Sequence, residues 1–236
     1  GSVRLLAREG GTARREGDKW LLQPGATQRT ADLGDGLGTK ARVTLARGSL
    51  TEASPDLKDK ATAVDGQTQE ASRVEIMGKE IRIESNATLR SRSGKVSLTA
   101  TENPANPTLP NVRNDSKVSI AAGAKIDVSG IKDVKLPMER NVVTVELRSN
   151  ELRDAPVQKN GPLYAQKVRV DIRKGTPIAD ITGALDRIAR TVAERSTAGG
   201  SLDIASEGDA ILARGSTIDF SGGSLAYQPG YVNTSI

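Results

Sequence analysis

The stretch GKVSLTA, residues 94–100, places two large aliphatics one polar residue apart and brackets them with small residues. The same phrase opens the chain as GSVRLLA (1–7). It returns as ARVTLAR (41–47), SRVEIMG (72–78), SKVSIAA (116–122) and GSLDIAS (200–206). Alternation with a period of two is the pattern of a half-buried strand, so Val96 and Leu98 point to one face and Ser97 to the other.

The first aliphatics of these phrases are Val3, Val43, Val74, Val96, Val118 and Leu202, and the steps from Val74 to Val96 and from Val96 to Val118 are each 22 residues. The remaining steps read as multiples of that unit or as one unit plus a loop. A second half-unit also recurs. AAGAKIDVSG (121–130) matches ARGSTIDFSGG (213–223), and ESNATLRSRSG (84–94) and ARGSLTEAS (46–54) are looser versions. Short strands repeating near this period, with Gly, Ser, Asn and Asp at the turns, predict a solenoid. The fold class expected is all-β, a parallel β-helix with coils of about 22 residues whose equivalent aliphatics stack in interior columns. A β-sandwich also has short alternating strands, but it is built from antiparallel hairpins without a fixed period of this length.

Composition suits a thin, layered core. The chain has one Trp, one Phe and three Tyr among 236 residues, so aliphatics must fill the interior. There is no Cys, which excludes disulfides and thiolate zinc sites. There is no His, which removes the commonest general base and the Ser-His-Asp and Cys-His arrangements. The net charge of +5 comes from 34 basic and 29 acidic residues that are interspersed. Nucleic-acid binding calls for a basic stripe with stacking aromatics, so no nucleic-acid partner is expected. No apolar run reaches the length of a membrane span, so no membrane insertion is expected, and no signal peptide is visible. The first residues already carry the repeated phrase. The chain is therefore expected to be an internal segment of a longer protein, although Gly1-Ser2 would equally fit an expression remnant.

Between residues 130 and 199 the repeat lapses. VVTVELRS (142–149) and KVRVDIRKG (167–175) alternate as two longer strands, with Pro156 and Pro162 between them. TPIADITGALDRIARTVAERSTAGG (176–200) then carries Ile178, Ile181, Leu185, Ile188 and Val192 on one helical stripe. Thr176 as N-cap, Pro177 at the first helical position and an Asp186–Arg190 pair predict one amphipathic helix over 177–195. The chain thus divides into coils at 1–130, an insertion at 131–198 holding the two strands and the helix, and coils at 199–236, in one continuous domain. The stripe reads first as docking on its own domain. A second reading is partner docking through Ile181 and Ile188. Asp180, Asp186 and Glu194 argue against a membrane-surface role.

GKVSLTA, GAKIDVSG and GGSLDIASEGDAILARGSTIDFSGG resemble coils of filamentous-haemagglutinin-like exoproteins, the large secreted partners of two-partner secretion systems in Gram-negative bacteria. The run LRDAPVQKNGPLYAQKVRVDIRKGTPIADITG (152–183), followed by RTVAERSTAGGSLDIASEGDAIL, resembles an uncharacterised region within that family. The resemblance covers most of the chain from about Ser72 onward. It implies a right-handed β-helix, export through an outer-membrane transporter that serves the full-length protein, and a place at the bacterial outer surface. The recognition motifs of the family's N-terminal secretion domain are not found, which again implies an internal segment. No catalytic residue carries over.

Some β-helices are polysaccharide lyases or glycoside hydrolases, so a carbohydrate-active module is the alternative expectation. Asp127, Asp203 and Asp219 each lie between two inward aliphatics and are expected on the solvated outer face. Asp127 and Asp219 hold equivalent places in their units. A glycosidase needs two carboxylates, one with a raised pKa, and a lyase needs a base with a cation such as calcium. DLGDGLG (32–38) fits neither an EF-hand nor a P-loop and reads as a turn-rich connection, and TENPANPTLP (101–110) reads as an exposed loop. No catalytic, cofactor-binding or metal residue is assigned, no cofactor is expected, and no binding residue is singled out. The expected function is a non-enzymatic, adhesin-like segment: a scaffold for contact with a host-cell or glycan receptor.

Overall fold

The computed structural model describes residues 1–7, 12–16, 19–23, 41–67, 69–101 and 115–235, with 12–16 and 19–23 as backbone alone. DLGDGLG lies outside the described residues, as does TENPANPTLP beyond Thr101. The chain forms two compact units. The first comprises Gly1–Pro55, Ala71–Gly130 and Ala198–Gly222; the second comprises Asp56–Glu70, Ile131–Thr197 and Gly223–Ile236.

Three four-stranded sheets and one antiparallel pair, Thr12–Glu16 with Lys19–Gln23, make up the first unit. One runs Ser2–Leu6, Arg73–Gly78, Lys95–Ala100, Ser201–Ser206. The second runs Arg42–Leu45, Glu80–Ile83, Lys117–Ile120, Asp209–Leu212. The third runs Leu50–Glu52, Thr88–Arg90, Lys125–Asp127, Thr217–Asp219. Every pairing within these three sheets is parallel. The chain visits the first, second and third sheet in turn and does so four times, giving four tiers. The fold is mostly β with stacked parallel sheets, an arrangement compatible with an all-β parallel solenoid.

Interior columns run through the tiers. Val3, Val74, Val96 and Leu202 are partners in the first sheet. Val43, Ile81, Val118 and Ala210 are partners in the second, and Thr51, Leu89, Ile126 and Ile218 in the third. In the two middle tiers Val74, Val96, Ile81, Val118, Leu89 and Ile126 are fully buried. Burying each side chain of this size contributes about 1.5–3 kcal/mol. The outer Val3, Val43, Leu202 and Ile218 are partly buried against the same cluster.

The repeat is therefore not one column. Val96 lies beside Val74, one tier earlier, but Val43 and Val118 belong to the second sheet. The 22-residue step from Val96 to Val118 stays within a tier. Both sheets use the same phrase because both bury alternate residues against one interior. The match of AAGAKIDVSG to ARGSTIDFSGG corresponds to true register, with Ile126 beside Ile218 and Asp127 beside Asp219.

The corner between second-sheet and third-sheet strands explains the recurring glycine. Gly48, Asn86, Gly123 and Gly215 sit there in successive tiers with φ of 72°, 60°, 77° and 89°. Glycine adopts this left-handed region freely, and asparagine is among the residues that tolerate it. Before the first sheet the requirement is closeness instead. A Cβ on Gly94 would stand 2.2 Å from the Ser72 carbonyl oxygen, and one on Gly200 would stand 2.0 Å from the Gly94 carbonyl oxygen.

In the second unit, Val142–Glu146 and Lys167–Asp171 form an antiparallel pair, as their alternation predicts. Val145, Leu147, Leu152, Val168 and Val170 form its core, with Ile178, Ile181 and Ala184 packed against them. Segments placed by sequence among the coils join this unit: Thr62–Ala63 pairs with Arg190–Thr191, and Leu225–Tyr227 pairs with Val134–Leu136.

The single helix over 177–195 is not formed. Two four-residue helices stand there, Thr182–Leu185 and Val192–Arg195, with Arg190–Thr191 extended between them. Asp180 Oδ1 accepts from the Thr182 amide (2.9 Å) and starts the first helix late. Gly183 weakens that helix from inside. Thr191 and Glu194 then form a capping box that starts the second helix afresh. Arg190 does not pair with Asp186; it reaches Asp65 at 2.9 Å beside the two-residue bridge. The early half of the apolar stripe keeps its role, because Ile178 and Ile181 dock on the unit's own core.

Candidate functional site

Polar and mostly charged side chains continue the columns on the outer faces of the first unit. Arg4, Glu75, Ser97 and Asp203 share one register position, and Arg42, Glu80, Lys117 and Asp209 share another. Glu52, Arg90, Asp127 and Asp219 share a third. Opposite charges directly across parallel strands stabilise the pairing. Arg4 meets Glu75 at 2.6 Å, and Arg42 meets Glu80 at 2.6 Å. Glu80 is 5% exposed and also accepts from Arg82 Nε at 2.7 Å. Burial would raise its carboxyl pKa, but the Arg42 and Arg82 guanidiniums outweigh that and hold it below its ordinary value. Sequence reading passed over Glu80. Its signal is the polar place in a strand whose partners carry cations.

Asp127 is not solvated, contrary to expectation. It is 1% exposed, because the outer face is covered by longer neighbours. Arg90 Nε lies 3.3 Å from its Oδ2, Lys125 Nζ 3.6 Å and Arg92 Nε 3.8 Å. The Ser129 hydroxyl (2.6 Å) and amide (3.2 Å) both donate to Oδ1. Asp219 repeats the arrangement with the Ser221 hydroxyl at 2.7 Å and amide at 3.0 Å. The recurring Ile-Asp-x-Ser phrase is thus a side-chain-closed turn that ends the third-sheet strand.

Neither acid has the raised pKa of a glycosidase general acid. Burial pushes the Asp127 carboxyl up, but the Ser129 donors and the Lys125 and Arg92 charges bring it below its ordinary value. The Ser221 hydroxyl and amide lower Asp219 against the opposing push of burial and of Asp127. A glycosidase acid needs the opposite shift. Three cations around Asp127 also oppose calcium, and no group of three or more acidic side chains among the described residues is placed to hold a metal. Asp203 stands exposed in a different sheet, so the three acids do not converge.

A cleft of about 580 Å³ opens in the second unit, between the strand Val142–Glu146 and residues 184–189. Arg140 fixes one wall. Its Nε meets Glu194 Oε1 at 2.7 Å, its terminal nitrogen meets Oε2 at 3.1 Å, and it also donates to the Ala189 carbonyl. Burial opposes ionisation of Glu194, but the bonds from Arg140 and Thr191 prevail and its pKa lies below the ordinary value. Arg148 and Arg187 line the cleft with Glu146 and Glu151. No signal in the sequence assembles these residues, because the bridge between Thr62–Ala63 and Arg190–Thr191 is long-range.

Comparison with protein families, with curated proteins and with solved structures finds no match.

Proposed function

We propose that this chain is a non-enzymatic segment of a large bacterial exoprotein, secreted or held at the outer surface. In this reading the first unit is a right-handed parallel β-helix with coils of about 22 residues. It serves as a scaffold for contact with a host cell or a glycan receptor, and the full-length protein leaves the cell through an outer-membrane transporter. The observation that carries the reading is register: strand partners stay aligned through four tiers in all three sheets, although 131–198 interrupts the chain between the third and the fourth. A fold whose units contact only their neighbours extends by repetition, which suits a structural segment. The two acids best placed by sequence are held ionised by hydrogen bonds and cations, which favours a structural role for them.

Surface labelling of intact cells with an antibody to this segment, with and without the transporter that accompanies the full reading frame, tests the location. Polysaccharide cleavage assays test the absence of catalysis. Turnover that disappears in Asp203→Asn or Asp219→Asn would establish the carbohydrate-active alternative and end this reading.

A further inference from the structure

We propose that the first unit associates head to tail with a second copy of this chain, the fourth tier of one copy receiving the first tier of the next in the register the tiers already keep. The inference concerns the two ends of the stack; it and the scaffold reading each survive the failure of the other. Flanking coils of a longer protein would take the same two places, so the 236-residue chain is the one to test.

The backbones of the two ends are in phase for such a joint. Arg73 N–H donates to Gly1 C=O and Ala7 N–H to Met77 C=O, both at 3.0 Å. Alternate residues of a strand bond to the same neighbour, so Ser2, Arg4 and Leu6 turn their N–H and C=O groups away from the second tier. At the other end Ser201 N–H donates to Gly94 C=O (2.9 Å) and Glu207 N–H to Ala100 C=O (3.0 Å), so Leu202 and Ile204 turn theirs away from the third tier. None of these outward groups has a hydrogen-bond partner among the described residues. Continuing the register sets Val3 of the next copy beside Leu202 and Arg4 beside Asp203. Arg4 N–H then donates to Leu202 C=O, and Ile204 N–H donates to Arg4 C=O, the slanted pattern of every junction between tiers.

Side chains choose among the joints open to two copies. The charged outward positions of the fourth-tier strands are all acidic, Asp203, Asp209 and Asp219, whereas the first tier offers Arg4 and Arg42 with Glu52. Joining two fourth tiers brings one acidic rim against another, and joining two first tiers brings arginines together. Head to tail sets Asp203 against Arg4 and Asp209 against Arg42, opposite charges across adjacent strands. In the second sheet this prolongs the alternation Arg42, Glu80, Lys117, Asp209 without a break. Asp203 meets no cation among the described residues, and the Arg4 side chain, although it bonds Glu75, is 74% exposed. Glu52 against Asp219 is the one like pair. Arg90 lies 3.6 Å from Glu52 and Lys125 3.9 Å from Asp219, the kind of escort that already lets Asp127 stand beside Asp219. Inside, the half-exposed Leu212 gains Leu45 as its neighbour. Unlike faces in contact repeat without closing, so the association is open-ended.

Sedimentation of the intact chain reads the association, and wild type should form a concentration-dependent series that passes beyond the dimer. Asp203→Arg and Arg4→Asp should each weaken it by about tenfold, and mixing the two variants should restore it, because each swapped face then meets its complement. The chain has no cysteine, so single cysteines report the joint directly. Ser2 and Ser201 share a register position, and strands at about 4.7–4.9 Å bring them within disulfide reach. An oxidised mixture of Ser2→Cys and Ser201→Cys should give the crossed dimer, at least about fivefold more than either variant gives alone. A wild type that is monomeric at every concentration, a Ser201→Cys variant that links to itself more than to Ser2→Cys, or a mixture of charge-swapped variants no stronger than its components would overturn the proposal. Should Arg4→Asp fail to fold, the cysteine pair, which keeps every charge, decides.

Discussion

Asp127 and Asp219 occupy the same register position in adjacent strands, and Lys125 stands between them, 3.6 Å from one carboxylate and 3.9 Å from the other. Like charges directly opposite each other destabilise a sheet. The ammonium group, with Arg90 and Arg92 beside Asp127, turns that liability into a cross-tier tie.

Replacing Lys125 tests the tie. Lys125→Met keeps the aliphatic stem and removes the charge, leaving two ionised acids side by side. A loss of about 0.5–1 kcal/mol is expected at low salt. Added salt should shrink the loss, because Lys125 is 40% exposed and the interaction is screened. Urea unfolding at two ionic strengths reads both numbers.

Glu80 carries more. In Glu80→Gln the partly covered Arg42, Arg82 and Lys117 lose their shared counter-charge. A loss of about 1–3 kcal/mol is expected from the broken charge-assisted bonds. Because the Glu80 pKa is lowered on folding, its contribution is present above the ordinary value of 4.5 and fades as pH falls below it. The gap between wild type and Glu80→Gln in thermal unfolding should therefore narrow on acidification.

Two glycines separate conformational strain from collision. Gly215 has φ of +89° and ample space, so Gly215→Ala reads the left-handed backbone alone, about 1–2 kcal/mol. Gly94→Ala forces a methyl against the Ser72 backbone and should cost more, about 2–4 kcal/mol or outright failure to fold. Asn86→Gly, at the corresponding corner, should be tolerated. Chemical denaturation of the three variants orders them.

In the second unit Arg173 donates two bonds to Asp171, Nε to Oδ1 at 2.9 Å and a terminal nitrogen to Oδ2 at 2.6 Å. That fork, resisted by burial, holds the Asp171 pKa at about 2. A depressed folded pKa stabilises fully above the unfolded value of 3.8 and is lost as pH falls toward about 2. Melting curves of wild type and Asp171→Asn should differ most above pH 4 and converge near pH 2.

The strand phrases were legible because burial on one face imposes a period of two, and Val96, Ile126 and Ile218 keep it. Which sheet each phrase joins was not legible. Val96 and Val118 carry the same local pattern, and only tertiary pairing separates them. The helix over 177–195 failed for a local reason that the sequence contained: Thr191-Val-Ala-Glu194 is a capping box inside an apolar stripe. Asp127 was placed on the correct face, but its burial depends on Arg90, supplied 37 residues away. The cleft rests on Arg140 meeting Glu194 across 54 residues, a separation at which pattern reading has no purchase.

Residues 131–198 intervene between the third and fourth tiers, yet Val96 and Leu202 meet in unbroken alignment. Alignment of one turn of chain on another therefore does not require that the two be consecutive in the sequence. A corner of this fold is a socket where foreign sequence of many lengths could be spliced in, and the building rule beneath would not change.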